Sequence, residues 1–421
     1  MVARTVTSAP EQQETEALRA RLEALEREHT EQIARSHEAV AAAQDRSYWL
    51  DRWNLDLNAL MRRRGARELR GAVRAARGAV RLARRARSVA GTVPGRVAAA
   101  RGDLDEVPGP DRFYRAIAPD PLVADPVNGL LFARLDEEDV AAIQARLEPE
   151  EAAGLQVAGD VERKRQLLAY AAHHGVERAL RHTGLSAAAP GPGVHSMSQG
   201  ARAAGGSTYY ADLVVDSLSQ SGLDPAAGQA GLDFGCSSGR VVRVLAAAYP
   251  ELEWHGCDPI ADAVDWASEH LSGIRFARSP ERPPLQYADG SFDFVFAISI
   301  WSHFAAPAAL AWLAEMHRVI RPGGRLLLTT HGEQSVAAYH GWGIRTEPQL
   351  DEVREALYRD GFWYAPEFGD AGDHGVANPD WGTAFLTPEW LAARVTPGWS
   401  LAFFRPGRVE GNQDLYVLAR R

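Results

Sequence analysis

The segment 231–249 is the feature that most constrains how this chain can fold. It reads GLDFGCSSGR and then VVRVLAAAY, which is a short apolar run, a turn containing Gly235 and Gly239, and a helical pattern. Glycine lets the backbone turn tightly against a ligand, and the start of a helix offers unpaired N–H groups to polar or anionic atoms. The segment therefore predicts a strand, a ligand-binding turn and a helix. Such turns also bind dinucleotides, and some have only a structural role.

An acidic residue follows this turn at the distance expected of a nucleotide-type site. The run LEWHGCD places Asp258 nineteen residues after Gly239, at the tip of the next predicted strand. A carboxylate there can accept hydrogen bonds from both hydroxyls of a ribose. Asp258 could instead only start the next helix, because Asp before Pro is common there. Because the glycine turn precedes it at the right spacing, we favour ribose binding.

Beyond this point short apolar runs alternate with helical patterns. The successive segments are IRFARSP (274–280), FDFVFAIS (292–299), the helix AALAWLAEMHRVI, the turn RPGG (321–324), the strand RLLLTTHG, and the closing segments SLAFFRPG and QDLYVLARR. Alternation of this kind predicts a parallel sheet with crossover helices.

Four of these signals, in this order, resemble the class I S-adenosylmethionine-dependent methyltransferases. They are the GLDFGCSSGR loop, Asp258, the DGSFDFVFAIS strand and the RVIRPGGRLLL turn and strand. The resemblance is close over about 205–332 and loose beyond. It implies an α/β fold, a Rossmann-like doubly wound seven-stranded sheet, and S-adenosyl-L-methionine as cofactor. A dinucleotide dehydrogenase shares the first half of the pattern, but the RPGG turn, the missing GxGxxG spacing and the lack of a second nucleotide-binding half argue against it.

The resemblance also implies which residues hold the cofactor. The glycine loop would hold its methionine and ribose parts, Asp258 the ribose hydroxyls, and the loop after the fourth strand the adenine. The implied set is Asp233, Gly235, Cys236, Ser237, Gly239, Asp258, Ile298 and Ser299. Ser237 replaces the middle glycine of the usual loop, and its hydroxyl can reach the carboxylate or amine of the cofactor.

Two histidines are candidate catalytic bases. An alcohol acceptor benefits from a base as it is methylated, and ligands bind at the carboxyl edge of such sheets. His303, in SIWSHF after the fourth strand, and His331, in TTHG after the fifth, are predicted to lie there, although either could be a hydrogen-bonded structural residue. We predict no metal, because the two acids and one histidine of FGDAGDHG (368–375) form a set that is often merely solvated.

Aromatic residues in the C-terminal third suit a sugar or another ring-bearing acceptor, or equally the core of inserted helices. They are Trp342, Trp363, Tyr364, Trp381 and Trp390. The WSHF segment resembles sugar-directed methyltransferases, and the N-terminal region resembles leader regions of bacterial surface-glycan enzymes. The expected function is O-methylation of a sugar or surface-glycan precursor. The alternatives are a small-molecule natural-product methyltransferase and a non-catalytic scaffold with a vestigial domain; the intact Gly235, Gly239 and Asp258 argue against the scaffold.

The N-terminal region differs in charge from the rest of the chain. Residues 1–101 carry 20 arginines and 12 acidic residues, whereas the 421-residue chain has a net charge of −9. Residues 11–63 contain no Gly or Pro and space their leucines for a long helix, which serves either as a homo-oligomerisation stalk or as a helix folded onto the protein. The 13 arginines of 61–101 predict a solvated or partner-binding face, or peripheral contact with a membrane surface. We expect no nucleic acid partner, because aromatics for base stacking are absent there.

Three regions are therefore predicted: a helical, coiled-coil-like, Arg-rich arm (1–101), a helical linker region (102–190) and a methyltransferase domain with C-terminal substrate-pocket insertions (191–421). No apolar stretch approaches 18 residues and no secretory signal pattern is present, so we predict a cytoplasmic protein, with inner-membrane association as a variant. The two cysteines, Cys236 and Cys257, are too few for a disulfide framework or a cysteine-built zinc site.

Overall fold

The computed structural model describes residues 125–191, 193–197, 207–368, 378–395 and 397–421. The chain divides into two units, 1–108 and 109–421, and all described residues belong to the second. The predicted arm, its coiled coil, its membrane contact and the boundary at residue 101 lie outside the described residues and stay predictions. Among the described helices, none has the length and apolar character needed to cross a membrane.

A seven-stranded sheet forms the centre of the described unit. Its strands are β1 (Ala230–Phe234), β2 (Glu253–Asp258), β3 (Ile274–Arg278), β4 (Phe292–Ala297), β5 (Ile320–Thr330), β8 (Trp399–Val409) and β9 (Gln413–Arg420), and β6 (Phe362–Ala365) pairs separately with β7 (Thr383–Leu386). The order is β3-β2-β1-β4-β5-β9-β8. The first five strands run parallel, while β9 is antiparallel to β5 and β8 is antiparallel to β9. The predicted Rossmann-like, mostly parallel sheet is confirmed.

Helices cover both faces of this sheet. They are α6 (Thr208–Gln220), α7 (Val242–Ala248), α8 (Ala261–His270), α9 (Ala306–Val319) and α12 (Pro388–Val395). Residues of α6 and α7 pack with Phe294 and Phe296 on one face, whereas α9 and α12 pack with Phe292 and Val295 on the other. Because it is covered on both sides, β4 reads as the continuous apolar run of a central parallel strand, and all six of its residues are buried.

In the described part of the chain, five helices precede α6 and form an N-terminal helical layer. They are α1 (Pro126–Phe132), α2 (Glu137–Gln144), α3 (Pro149–Val157), α4 (Asp160–His173) and α5 (Glu177–Thr183). Their own apolar cluster includes Ile143 and Leu167. The layer is joined to α6 through Asp212, whose buried carboxylate accepts the backbone N–H groups of Val127 at 2.8 Å and Asn128 at 3.0 Å. These bonds satisfy orphan donors at the start of α1.

A segment inserted between β5 and β8 lies over the carboxyl edge of the sheet. It contains α10 (Glu333–Trp342), α11 (Glu347–Asp360), β6, β7 and α12. Bridges join Phe304 to Trp381 and His331 to Phe385, so β7 and its approach contact the chain just after β4 and β5. Of the clustered aromatics, Trp363 and Trp390 are buried in apolar clusters, as the core interpretation expected.

Candidate active site

The turn between β1 and α7 is held by β2 and by the chain after β4. The N–H groups of Gly235 and Cys236 both donate to the carbonyl of Cys257, at 2.9 and 3.1 Å. Gly235 has φ +82°, and a Cβ at this position would lie 2.2 Å from Cδ1 of Ile300. Only glycine fits both the left-handed backbone and this close approach, which brings the loop after β4 against the glycine loop.

Asp258 lies at the end of β2 and points at the glycine loop. Its Oδ2 accepts the N–H of Ser237 at 2.8 Å, and its Oδ1 accepts the N–H of Ile260 at 2.9 Å. An ionised carboxylate has about four acceptor sites, so two remain for other donors. Burial raises the pKa of Asp258, and the two N–H groups act against this rise. Capping the following helix and binding a ribose are therefore compatible roles of one side chain.

Asp233 is the buried acid of β1, beneath the same loop. Burial raises the pKa of its carboxyl to about 8, against the opposing effects of Arg240 and the N–H of Val242. Within the described part of the chain, its Oδ2 has no hydrogen-bond partner. A buried acceptor without a donor is costly. A ligand that brings an ammonium or N–H group to this loop would satisfy it, as the amino-acid end of S-adenosylmethionine would.

Ser237 contacts a residue that the sequence did not identify. Its Oγ lies 2.9 Å from Nδ1 and 3.2 Å from the carbonyl oxygen of His195, which comes 42 residues earlier in the chain. Ser237 adopts φ +49°, in the left-handed region where glycine is usual. The hydroxyl that replaces the usual glycine is thus engaged by an upstream segment, and no local pattern could have indicated this contact.

Ser299 follows β4 and is fixed by a buried hydrogen-bond network. It has φ +60°, and its N–H donates to Oγ1 of Thr329 at 2.7 Å. The hydroxyls of Ser299 and Thr329 both donate to Oε1 of Gln413, at 3.0 and 2.8 Å. Gln413 and Thr329 were missed by the sequence analysis because their roles depend on β9 lying beside β5. The neighbouring Ile298 is buried, and its side chain belongs to the core on the α6 and α7 face.

His331 lies at the end of β5 in a network that keeps it neutral. Because a carbonyl can only accept, Nδ1–H donates to the carbonyl of Ala384 at 3.2 Å, which leaves Nε2 as an acceptor. The hydroxyl of Tyr339 lies 3.1 Å from Nε2 of His331. The side-chain amide nitrogen of Gln413 lies 3.4 Å from the same Nε2 of His331. Burial, with a smaller effect of His303, lowers the pKa of His331 to about 3. An imidazole with this pKa is a weak base.

His303 lies on the neighbouring segment, and its ring centroid is 6.4 Å from that of His331. Its Nδ1–H donates to the carbonyl of Gly382 at 2.8 Å, and the N–H of Gly382 donates back to the carbonyl of His303 at 2.8 Å. The ring stacks on Trp381 with centroids 4.7 Å apart and planes 28° apart. These contacts fix the ring and select the tautomer in which Nε2 carries the lone pair.

The predicted site residues therefore fall into two adjoining groups at the carboxyl edge of the sheet. The cofactor-side group is the glycine loop with Asp233 and Asp258, and the second group is Ser299, His303 and His331. The two cysteines are buried free thiols, and burial raises their pKa well above its usual value, which makes them poor nucleophiles. Apart from Phe368, the segment 368–375 lies outside the described residues, so the prediction of no metal there is untested.

Comparison with known proteins agrees with this geometry. Residues 232–324 match the family model described as a methyltransferase domain. Over residues 232–324, this match supports a class I S-adenosylmethionine-dependent methyltransferase domain, in agreement with the fold and the glycine loop. S-adenosylmethionine is accordingly the cofactor.

Two curated relatives also match part of the chain. Malonyl-(acyl-carrier protein) O-methyltransferase from Hahella chejuensis is 30% identical over 115 residues, which is 26% of this chain and 40% of the relative. An uncharacterized 37.1 kDa protein in transposon TN4556 of Streptomyces fradiae is 34% identical over 123 residues, 28% of this chain and 33% of the relative. The chain thus matches less than half the length of either relative.

Solved structures of methyltransferases are also similar. A S-adenosylmethionine-dependent methyltransferase from Methanosarcina mazei has 19% identity and a TM-score of 0.34, covering 47% of this chain and 94% of its own. A geranyl diphosphate C-methyltransferase from Streptomyces coelicolor, solved with S-adenosyl-L-homocysteine, has 12% identity and a TM-score of 0.33, covering 50% of this chain and 78% of its own.

Proposed function

We propose that this protein is an O-methyltransferase that methylates a hydroxyl of a sugar or glycan precursor, with His303 as the general base. The observation that carries the proposal is the fixed orientation of His303 beside the loop after β4, with Nδ1–H on the Gly382 carbonyl and the ring against Trp381.

The cofactor is held, in this proposal, by groups of the glycine loop and its neighbours. Asp258 accepts the ribose hydroxyls through its two remaining acceptor sites, and Oδ2 of Asp233 accepts from the amino end. The loop around Ile298 and Ser299 borders the adenine. When bound, S-adenosylmethionine supplies a methyl group on a sulfonium sulfur, which an acceptor lone pair displaces.

His303 takes the proton that the acceptor hydroxyl loses. Nε2 carries the lone pair for this proton, and the Gly382 carbonyl stabilises the resulting imidazolium through Nδ1–H. A positive charge on the nearby His331 would oppose the formation of the His303 imidazolium. His331 stays neutral because burial lowers its pKa to about 3, and Tyr339 and Gln413 lie against its Nε2, so we assign it a positioning role and give the basic role to His303.

The sugar acceptor is supported by the aromatic wall beside His303. Trp381 stacks on the imidazole, and the ring of Phe368 lies 5.9 Å away. Flat aromatic faces next to hydrogen-bonding groups suit the apolar face and hydroxyls of a sugar ring. A small natural-product alcohol would use the same wall, and an acceptor panel separates the two.

The test begins with labelled S-adenosylmethionine and panels of sugars, nucleotide sugars and small alcohols, together with mass spectrometry of glycans from a strain that lacks the protein. On an acceptor that is methylated, His303→Gln should lower kcat by roughly 10²- to 10⁴-fold, the usual contribution of a general base. The affinity of the His303→Gln variant for S-adenosylhomocysteine should equal that of the wild type. His182→Gln, in the helical layer, is the matched control and should keep full activity. Wild-type kcat in His303→Gln would refute the assignment of the base.

A further inference from the structure

A cluster of metal-ligating side chains lies in the N-terminal helical layer, outside the candidate active site. Glu151 belongs to the first turn of α3, and His173 and His174 stand at the end of α4. One ligand atom from each of the three residues lies within 4.8 Å of the other two.

The cluster is already assembled by the fold. Nε2 of His174 lies 2.8 Å from Oε2 of Glu151, and these side chains are only 17% and 19% exposed. The ring of His173 is 4.8 Å from that of His174. The carbonyl end of α4 adds negative potential, which favours a cation at this position.

A neighbouring cluster of the same residue types shows what makes this one different. Asp136, Asp139 and His182 also group closely. The guanidinium of Arg178 pairs with both of those aspartates, so it offsets part of their charge and occupies carboxylate oxygens that an ion would need. In the described part of the chain, Glu151 instead pairs with His174. Histidine is itself a common metal ligand.

We propose that Glu151, His173 and His174 bind a borderline divalent transition metal, with Zn²⁺ as the representative ion. Two imidazole nitrogens and one carboxylate oxygen form a ligand set that Zn²⁺ accepts, with water as the fourth ligand. Tetrahedral binding brings ligand atoms to roughly 3.3 Å from one another, so the present separation needs only a small movement. The exposed His173 can make that movement by changing its rotamer.

Binding would fasten the first turn of α3 to the end of α4. The ion replaces the hydrogen bond between His174 and Glu151, and each imidazole binds in its neutral form. No local sequence pattern predicts this site, because Glu151 and His174 are 23 residues apart.

The experiment uses the full chain, freed of metal with a chelator and then titrated with ZnCl₂ by calorimetry. We expect one saturable site, and we expect Co²⁺ to give the visible absorption of a tetrahedral ion. Glu151→Gln and His173→Gln should each weaken Zn²⁺ binding at least 10-fold and abolish the Co²⁺ signal. Glutamine at position 151 keeps the hydrogen bond to the start of α3, so the helix cap survives.

The matched control is His182→Gln, from the cluster whose aspartates pair with Arg178, and it should bind Zn²⁺ as the wild type does. The proposal is overturned if the wild type shows no saturable binding. It is also overturned if Glu151→Gln and His173→Gln both bind like the wild type, since the ion would then be held by other histidines of the chain.

Discussion

At the scale of single residues, Asp233 connects the electrostatics of the fold with cofactor binding. Its carboxyl has a pKa of about 8 because it is buried, so it is mostly protonated at pH 7. A ligand ammonium beside it lowers this pKa and releases the proton. We predict that binding of S-adenosylhomocysteine at pH 7 releases up to one proton, and that this release fades above pH 8, where the group is already ionised.

Calorimetry in two buffers with different ionisation enthalpies measures this release. Asp233→Asn is the control, because it keeps the shape of the side chain and has no proton to lose. A binding enthalpy that is the same in both buffers for the wild type would contradict the prediction.

The positions of the glycine-loop residues were predictable to the extent that they are set locally. Gly235 and Asp258 lie where their spacing predicted, because strand, turn and acid follow one another along the chain, and their binding of the cofactor stays a prediction. His195 was not identified, because its contact with Ser237 joins residues far apart in sequence. His331 was placed correctly by the sequence, but the donors that occupy its Nε2 come from α10 and β9.

At the scale of elements, Gln413 links three strands at the catalytic edge. Its carbonyl holds the hydroxyls of Ser299 after β4 and Thr329 in β5, while its amide faces Nε2 of His331. In Gln413→Glu, the side chain still accepts the hydrogen bonds from Ser299 and Thr329. A negatively charged carboxylate oxygen replaces the amide N–H donor that faces His331. We predict that the pKa of His331 rises from about 3 toward its ordinary value.

Proton NMR titration of the histidines measures this rise. The titratable and charged groups around His331 are His303, Tyr339 and Arg345, with Asp414 next to Gln413, and none of them is altered by the substitution. Gln413→Met, which removes donor and acceptor together without adding charge, is the control. A pKa of His331 that stays near 3 in Gln413→Glu would show that burial alone sets it. If the pKa rises, activity should fall in the pH range where His331 is charged.

The contact between the helical layer and α6 is a second prediction at this scale. Asp212 accepts two N–H groups at the start of α1 and pairs with Arg165 at 3.1 Å. Asp212→Ala leaves these donors without their acceptor, so we expect a loss of about 3 kcal/mol in the free energy of unfolding. Urea denaturation measures this loss. Asp224→Ala, at an exposed aspartate in the same region, should change stability by less than about 0.5 kcal/mol, and an equal effect of both substitutions would contradict the account.

The order of elements was predicted well and the inserted elements less so. The alternating runs from 231 to 332 give β1 to β5, of which β1 and β4 are fully buried and β3, at the edge of the sheet, is only partly buried. The β6 and β7 pair was not predicted, since its strands are only four residues each and are held by contacts with the chain after β4 and β5. β7 supplies the Ala384 carbonyl and the residue just before it supplies the Gly382 carbonyl, so the histidine tautomers could not be predicted from sequence.

At the scale of the whole molecule, the sheet provides one edge at which two kinds of group meet. The glycine loop and two buried acids lie at the ends of β1 and β2, and the paired histidines lie beyond β4 and β5. Ile300, packed against Gly235, joins the two groups. In the proposed function, the cofactor is held on one side of β4 and the acceptor meets His303 on the other.

We expect this edge of the sheet to bind S-adenosylmethionine through Asp258. Calorimetric titration of the full chain with S-adenosylhomocysteine tests this directly. We predict saturable one-to-one binding by the wild type, affinity at least 10-fold weaker in Asp258→Ala, and no change in Asp262→Ala at an exposed aspartate of the adjoining helix. An absence of binding by the wild type, or full affinity in Asp258→Ala, would contradict it.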